Sequence, residues 1–471
     1  MEENFEKTKQ ATETGATEEV VARIPKNEKF TFGFYFIGQL IMYGMVSSYI
    51  SLFMTESGIA AFVISAILFG AKVWDAVNDP LFAIFIDKKQ IFKHKYLSWV
   101  RISTVLIPLT TIFVFIMPDS FGNTAKIIWL LIGYMLWDLA YTICDVPIHA
   151  LATCMTDNVK ERDGLFIKKT VFGYIGVLIV LFVPMLYPRI GWGPTAVIMS
   201  IISLATMLPV GFKAQERYTS APEKEPSFKE MGRYLVKNKP LLIISLASIV
   251  ASLTATSGTA GNYVAIYLLG SEDYITYMAI LAVPPAFLSI LLTKFLLKKF
   301  DKFWVYIASC VSNIIFGIII FYTGYENIPL YLTMCAIKTL FGSAGAVTGA
   351  MFIADCAEYG HYATGQRNQG VAFSVQTFTA KFTSAISTAI GMLLLGFIGF
   401  QSGSGAAQTS GTLRGVWYMN TLIPLIGVAA SIALLLIGYR LRTKDAQIMA
   451  KANACEISRE EAEIALGGKK I

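Results

Sequence analysis

Asp75 and Asp79, four positions apart in Lys72-Val-Trp-Asp75-Ala-Val-Asn78-Asp79-Pro80, lie inside an apolar run covering residues 62–86. On a helix that spacing puts both acids on one face, one turn apart, with Lys72 a turn below on a similar face. A carboxylate at membrane depth costs roughly 2.5–3.5 kcal/mol on insertion scales, so such residues usually line a water-filled pathway. The pair beside a lysine therefore reads first as a cation or proton site. The bland alternative is a structural ion pair with Lys72 and the distant Lys381, which rarely needs two acids.

A second set lies in Tyr134-Met-Leu-Trp137-Asp138-Leu-Ala-Tyr141-Thr142-Ile-Cys-Asp145-Val-Pro147-Ile-His149. Asp138, Tyr141, Thr142, Asp145 and His149 fall at helical spacings that place them on one polar stripe, facing a bundle interior rather than lipid. Asp138 sits where it could face another helix, and His149 where it could simply pack near a helix end. Gln376, Thr377 and Lys381 form a third set in an otherwise apolar run. Lys381 needs a carboxylate, and Asp75, Asp79 and Asp145 are the candidates. Asp355 and Glu358 lie at the end of another span. With Asp157, Arg162 and Arg367 in nearby loops, they read as a gate lock rather than as substrate ligands.

These residues must be carried by membrane helices. The chain has 471 residues, 55% hydrophobic and 15% charged, and a mean hydropathy of +0.57. That is too apolar for a soluble protein and too long for one anchor. Stretches near the ~20 residues needed to span a bilayer occur at 30–54, 62–86, 98–117, 126–150, 167–187, 194–212, 240–269, 274–298, 303–323, 328–353, 371–400 and 416–438. The first 25 residues are polar and mixed in charge, unlike a cleavable signal peptide. Lys and Arg concentrate in alternate loops and in the tail after 439, which puts both termini in the cytoplasm of a multi-pass cell-membrane protein. The net charge of +7 sits in those loops, so nucleic acid is not an expected partner. The six cysteines show no CxxC spacing, which excludes the usual metal and disulfide patterns.

The polar segment 213–239 holds eleven charged side chains and separates six spans from six. The expected organisation is a cytoplasmic tail (1–29), a six-helix bundle (30–212), a central loop (213–239), a second six-helix bundle (240–438) and a cytoplasmic tail (439–471). An all-α chain of this kind suits a transporter whose substrate binds between two halves that rock to expose it alternately. Paired aspartates also suggest an intramembrane aspartyl protease, but its acids come from different helices, whereas Asp75 and Asp79 share one turn. No enzymatic activity is expected.

Five motifs resemble those of the glycoside–pentoside–hexuronide:cation symporters within the major facilitator fold. They are Trp74-Asp75-Ala-Val-Asn78-Asp79-Pro80, Tyr141-Thr142-Ile-Cys-Asp145-Val-Pro147, Asp157-Asn-Val-Lys-Glu161-Arg162, Ala354-Asp355-Cys-Ala-Glu358-Tyr359-Gly360 and Ser374-Val-Gln376-Thr377-Phe-Thr-Ala-Lys381. They fall in order over nearly the whole chain. The resemblance implies that Asp75, Asn78, Asp79 and Thr142 bind the coupling cation, Na⁺ or H⁺, and that Lys381 bridges the cation and sugar sites. It implies that Asp145 accepts sugar hydroxyls, with Gln376 and Thr377 at the cavity wall. A small hard cation wants several oxygen ligands, and a sugar wants a carboxylate with aromatic surface beside it.

The sequence departs from the family's sugar-binding pattern. The first-helix carboxylate falls on Leu40 and its basic neighbour on Gln39; the aromatic four residues after Asp145 is His149; a tryptophan falls near Ala346. The basic residue early in the fifth span falls on Thr170, although Lys168 and Lys169 are adjacent. The resulting expectation is a monomeric importer of a glycoside, pentoside or sugar acid, with no cofactor beyond the coupling cation. Tyr141, His149 and Gln39 join the sugar contacts, and Lys72, Asp138, Asp355, Glu358 and Arg162 the coupling and gating residues. Loss of the first-helix acid makes the site less anionic and more tolerant of an acidic sugar. The alternatives are a sugar sensor on the same fold and a transporter of a non-sugar organic solute.

Overall fold

A computed structural model describes residues 24–88, 92, 94–156, 159–217, 228–365 and 369–467. Regular structure among these residues is helical throughout, as a bilayer demands of open chains that must bond every backbone group internally. The first half comprises α1 (Lys26–Glu56), α2 (Ala61–Lys88), α3 (Leu97–Phe115), α4 (Asn123–Met155), α5 (Val159–Val180) with its continuation α6 (Val183–Ile190), and α7 (Trp192–Lys213). Next come α8 (Phe228–Lys237) and α9 (Lys239–Ala251), the latter running through a 3-10 turn, Ser252–Ala255, into α10 (Thr256–Tyr263) and a π turn, Val264–Leu268. The second half continues with α11 (Asp273–Leu296), α12 (Lys302–Thr323), α13 (Ile328–Gly342) with α14 (Ala344–Thr364), α15 (Gln369–Phe397), and α16 (Ser410–Thr421) with α17 (Ile423–Gly438). Two short helices, α18 (Thr443–Asn453) and α19 (Arg459–Leu466), follow.

This is a twelve-span membrane protein built as two six-helix bundles. All twelve apolar stretches are helical. Among the described residues ten spans are by themselves long and apolar enough to cross a bilayer; the other two are α2 and the divided pair α13/α14. The interruptions have local causes. Pro184 and Pro424 lie in the first turns of α6 and α17, where a missing amide is tolerated. At the α13/α14 break the Gly342 carbonyl accepts from Ser309 Oγ at 2.7 Å and Asn313 Nδ2 at 3.3 Å. Two polar side chains of α12 thus satisfy the backbone group near the interruption. Gly342 leaves room for them, because a Cβ there would stand 2.5 Å from the Asn313 amide nitrogen.

Glycines also set how closely α1 is held. A Cβ at Gly176 of α5 would lie 2.4 Å from the Ile37 carbonyl oxygen, and one at Gly38 would lie 2.6 Å from the Ser203 carbonyl oxygen of α7. Small residues at such crossings let backbones approach. Because a backbone carbonyl cannot swing away, Gly176→Ala is expected to destabilise the protein by about 1–3 kcal/mol. A thermal-unfolding scan in detergent checks this; an unchanged midpoint would refute it.

The polar segments expected as linker and tail contain helices that clamp one end of the second half. Asn238 Nδ2 donates to the Cys356 carbonyl at 2.7 Å, and Asn453 Nδ2 to Glu358 Oε2 at 2.9 Å. Asp301 caps α12 through the Phe303 amide at 2.9 Å and holds the Thr443 amide of α18 at 3.0 Å. Partial burial opposes ionisation of Asp301. Those donors and Arg442 outweigh it and hold the carboxyl below its usual range. The contribution of this clamp is therefore present above the ordinary carboxylate pKa and is lost as pH falls through the lowered one.

The halves meet at the end away from the chain termini. There Thr55 Oγ1 bonds Tyr263 Oη at 2.8 Å, and the Gly403 and Ser404 amides donate to the Thr55 and Glu56 carbonyls. Ser65 Oγ donates to the Ala389 carbonyl at 2.9 Å, and Arg189 forks onto Asp273 at 2.9 and 3.1 Å. One buried apolar cluster joins both halves here, with Met54, Tyr263, Met392 and Trp417 among its members. The second buried cluster, around Phe303, Phe352 and Tyr439, belongs only to the second half and its flanking helices. The molecule is closed at one end, and no buried apolar cluster joins the halves at the other among the described residues.

Candidate substrate and cation site

Pro147 removes one amide from the α4 ladder, and the residues around it carry the polar groups. Asp145 lies ten residues from the helix end, about 15 Å at the usual helical rise, yet 45% of its side-chain surface is accessible. Its carboxylate accepts from Gln39 Nε2 of α1 at 2.8 Å and lies 3.7 Å from His149 Nδ1. His149 Nδ1 is 2.7 Å from the Asp145 carbonyl, and its Nε2 meets the Lys169 ammonium of α5. Lys169 also sits 5.2 Å above the Phe36 ring, which packs edge-on against His149. Tyr43, Tyr141 and Trp137 form a neighbouring aromatic wall, with centroids 5.2 and 5.4 Å apart. A carboxylate, an imidazole and an ammonium thus converge on an accessible face beside Tyr43 and Tyr141, with the Gln39 amide and the Trp137 ring buried behind them.

The single stripe expected on α4 divides in two. Asp138 and Thr142 are buried toward α2, where Asn78 Nδ2 donates to Thr142 Oγ1 at 3.0 Å and Thr142 Oγ1 to the Asp138 carbonyl. Tyr141, Asp145 and His149 face α1 and α5. At about 100° and 1.5 Å per residue, Asp138 and Asp145 differ by only some 20° around the helix but by about 10 Å along it. Depth along α4, more than angle, therefore sends them to different neighbours. Asp138 is 5% exposed, away from the accessible Asp145 face.

On α2, Lys72 Nζ lies 3.9 Å from Asp75 Oδ2. Asp79 is on the same helix, but its side chain lies outside the described residues, as do Asp157 and Arg367. The contacts of Ser65 with Ala389 and of Phe62 with Gly396 run α2 and α15 antiparallel. Counting down from them places Lys381 at the level of Lys72 and Asp75. Lys381 and Thr377, one turn apart, share the exposed face of α15. Gln376 faces elsewhere: it lines a cavity of about 540 Å³ inside the second half, with Thr379, Thr383, Ser387 and Tyr306.

Asp355 pairs with Lys302, and Glu358 accepts from Asn453, all within the second half. Arg162 is half-buried on α5. Beside it, polar contacts within the first half involve Glu161, held by Lys29 at 2.8 Å and Thr156 at 2.9 Å. Two elements escaped the sequence reading, and a third was displaced by one residue. Lys169, not position 170, supplies the base beside His149; one residue of register on α5 separates them. The Arg189–Asp273 bridge joins the last turn of α6 to the first turn of α11, whose proximity nothing local reveals. Lys338 stands alone in an apolar span, a signal of the same kind that drew attention to Lys381.

The family model for "MFS/sugar transport protein" matches residues 31–444. The chain belongs to this family. Among curated relatives, the "uncharacterized symporter" YjmB of Bacillus subtilis (strain 168) is 25% identical over 454 residues, covering 91% of this chain and 95% of its own. The isoprimeverose transporter of Lactiplantibacillus pentosus is 23% identical over 449 residues and 91% of each chain. The inner membrane symporter YicJ of Escherichia coli (strain K12) is 23% identical over 415 residues, 85% of this chain and 88% of its own. Among solved structures, a bacterial homologue of the iron transporter ferroportin superposes with a TM-score of 0.65 at 12% identity, over 88% of this chain and 99% of that one. The nucleoside transporter NupG superposes with a TM-score of 0.64 at 12% identity, over 87% and 99%. The fold is therefore that of the major facilitator superfamily, and this member of its sugar-transport family is a multi-pass membrane transporter, not an enzyme.

Proposed function

We propose that the protein imports a sugar together with Na⁺ or H⁺ by alternating access. The observation that carries this reading is the accessible Asp145, placed among Gln39, His149 and Lys169 beside the Tyr43–Tyr141–Trp137 wall. An ionised carboxylate accepts two sugar hydroxyls strongly, and an aromatic face covers the apolar side of a pyranose. The cation residues are Asp75, Asn78, Asp79 and Thr142, with Lys381 and Lys72 between the two ligands; the Asn78–Thr142 bond supports a shared site. An amide and a hydroxyl beside two acids favour Na⁺, because a proton needs one carboxylate and no oxygen cage. The isoprimeverose relative agrees with a sugar cargo.

The lysine- and arginine-rich loops favour a plasma-membrane protein with both termini in the cytoplasm. In that orientation the closed end faces outward and the described conformation opens inward. Right-side-out vesicles test the coupling: an imposed Na⁺ gradient, or a pH gradient, is expected to concentrate sugar inside. Uptake indifferent to both gradients would overturn the proposal.

A further inference from the structure

We propose that Lys338 is the anchor of a second binding pocket, inside the second half, that takes the acid group of an anionic sugar. Lys338 is the eleventh residue of α13, about 15 Å from the helix start and so near mid-membrane. It lines a cavity of about 500 Å³ together with Asn262, Tyr331, Thr339 and Asn420. That volume suits a monosaccharide. Among the described residues the lining contains no aspartate or glutamate, and no carboxylate lies within 4 Å of the Lys338 ammonium. An intramembrane cation normally pairs with an acid of its own protein. Here the missing negative charge is left for the ligand to bring.

The neighbouring groups sort into spent and unspent donors. Asn420 Nδ2 donates to Tyr331 Oη at 3.1 Å, and the Thr339 and Ser257 hydroxyls donate to helix carbonyls. The Asn262 side chain makes no hydrogen bond to a described residue and so keeps its amide for a ligand beside the ammonium. Asn262 lies on α10, between the 3-10 turn and the π turn, where the backbone departs from regular winding. Such departures recur at binding sites, and broken helices form the midplane sites of transporters. An ammonium and an amide together match the two oxygens of a carboxylate or the three of a sulfonate.

The ligand class rests on the sugar-transport reading, and the experiment separates the two. Purified protein in detergent is titrated with D-glucuronate, with its methyl ester, and with sodium sulfate, following binding by calorimetry. The free acid is expected to bind about tenfold or more tighter than the ester, with sulfate a poor competitor. In Lys338→Gln this preference for acid over ester collapses; in Lys338→Arg it is retained. Equal affinities for acid and ester in the unmodified protein would overturn the inference without any variant having to fold. A preference that survives Lys338→Gln, or sulfate competing as well as glucuronate, would also overturn it. Vesicle uptake of neutral glycosides driven by Na⁺ or H⁺ reports separately on the transport reading.

Discussion

Asp145→Asn is expected to weaken sugar binding by about a hundredfold or more while leaving cation binding in place. The carboxylate already accepts from Gln39 at 2.8 Å and has nearly half its side chain free for a ligand. Charge-assisted hydrogen bonds are worth roughly 1.5–3 kcal/mol each, about twice a neutral one, so weakening two of them costs about two decades of affinity. An amide keeps the size and can still accept from Gln39, so the loss reads charge rather than packing. Displacement of a fluorescent glycoside measures it, with Na⁺-induced stabilisation as the control for folding. An affinity within about threefold of the unmodified protein, less than one charged hydrogen bond, would show that Asp145 does not hold the sugar.

The second large effect is on coupling. Asp79→Cys, and separately Asp75→Cys, should abolish cation-driven accumulation while some sugar binding survives. A dehydrated Na⁺ needs carboxylate charge as well as neutral oxygens, and the Asn78–Thr142 pair supplies only the latter. Because coupling is reciprocal, the loss should appear twice: no uphill uptake, and no gain in sugar affinity on adding Na⁺. Accumulation that persists in either variant would take that acid out of the cation site. Binding without accumulation would support the division of labour between α2 and the α4–α1 face.

The twelve spans were legible because each must supply about twenty apolar residues, and no other element satisfies backbone groups in lipid. The breaks were not: Pro184, Gly342 and Pro424 lie at them, but Pro147 lies inside an unbroken α4, so such residues alone do not say where a span divides. The helices in the linker and tail were not, since α8, α18 and α19 are too polar to register as spans. Asp145 stood out as a carboxylate in an apolar run. Its partner Gln39, 106 positions away, was visible only as a departure from a family pattern.

The sequence by itself determined how many times the chain crosses the membrane and which polar side chains must be sheltered there, because transfer free energy depends on composition along each segment. Only the tertiary structure decided which of those side chains meet. Asp138 and Asp145 lie on one helix two turns apart, yet one is buried toward Asn78 while the other opens beside Gln39 and His149. Lys169 rather than its neighbour completes the site, and Lys338 faces a cavity without an acid. Those outcomes follow from the rotation and approach of whole helices, set by contacts such as Gly176 on Ile37 and Gly38 on Ser203. Hydropathy along the chain carries no record of that rotation.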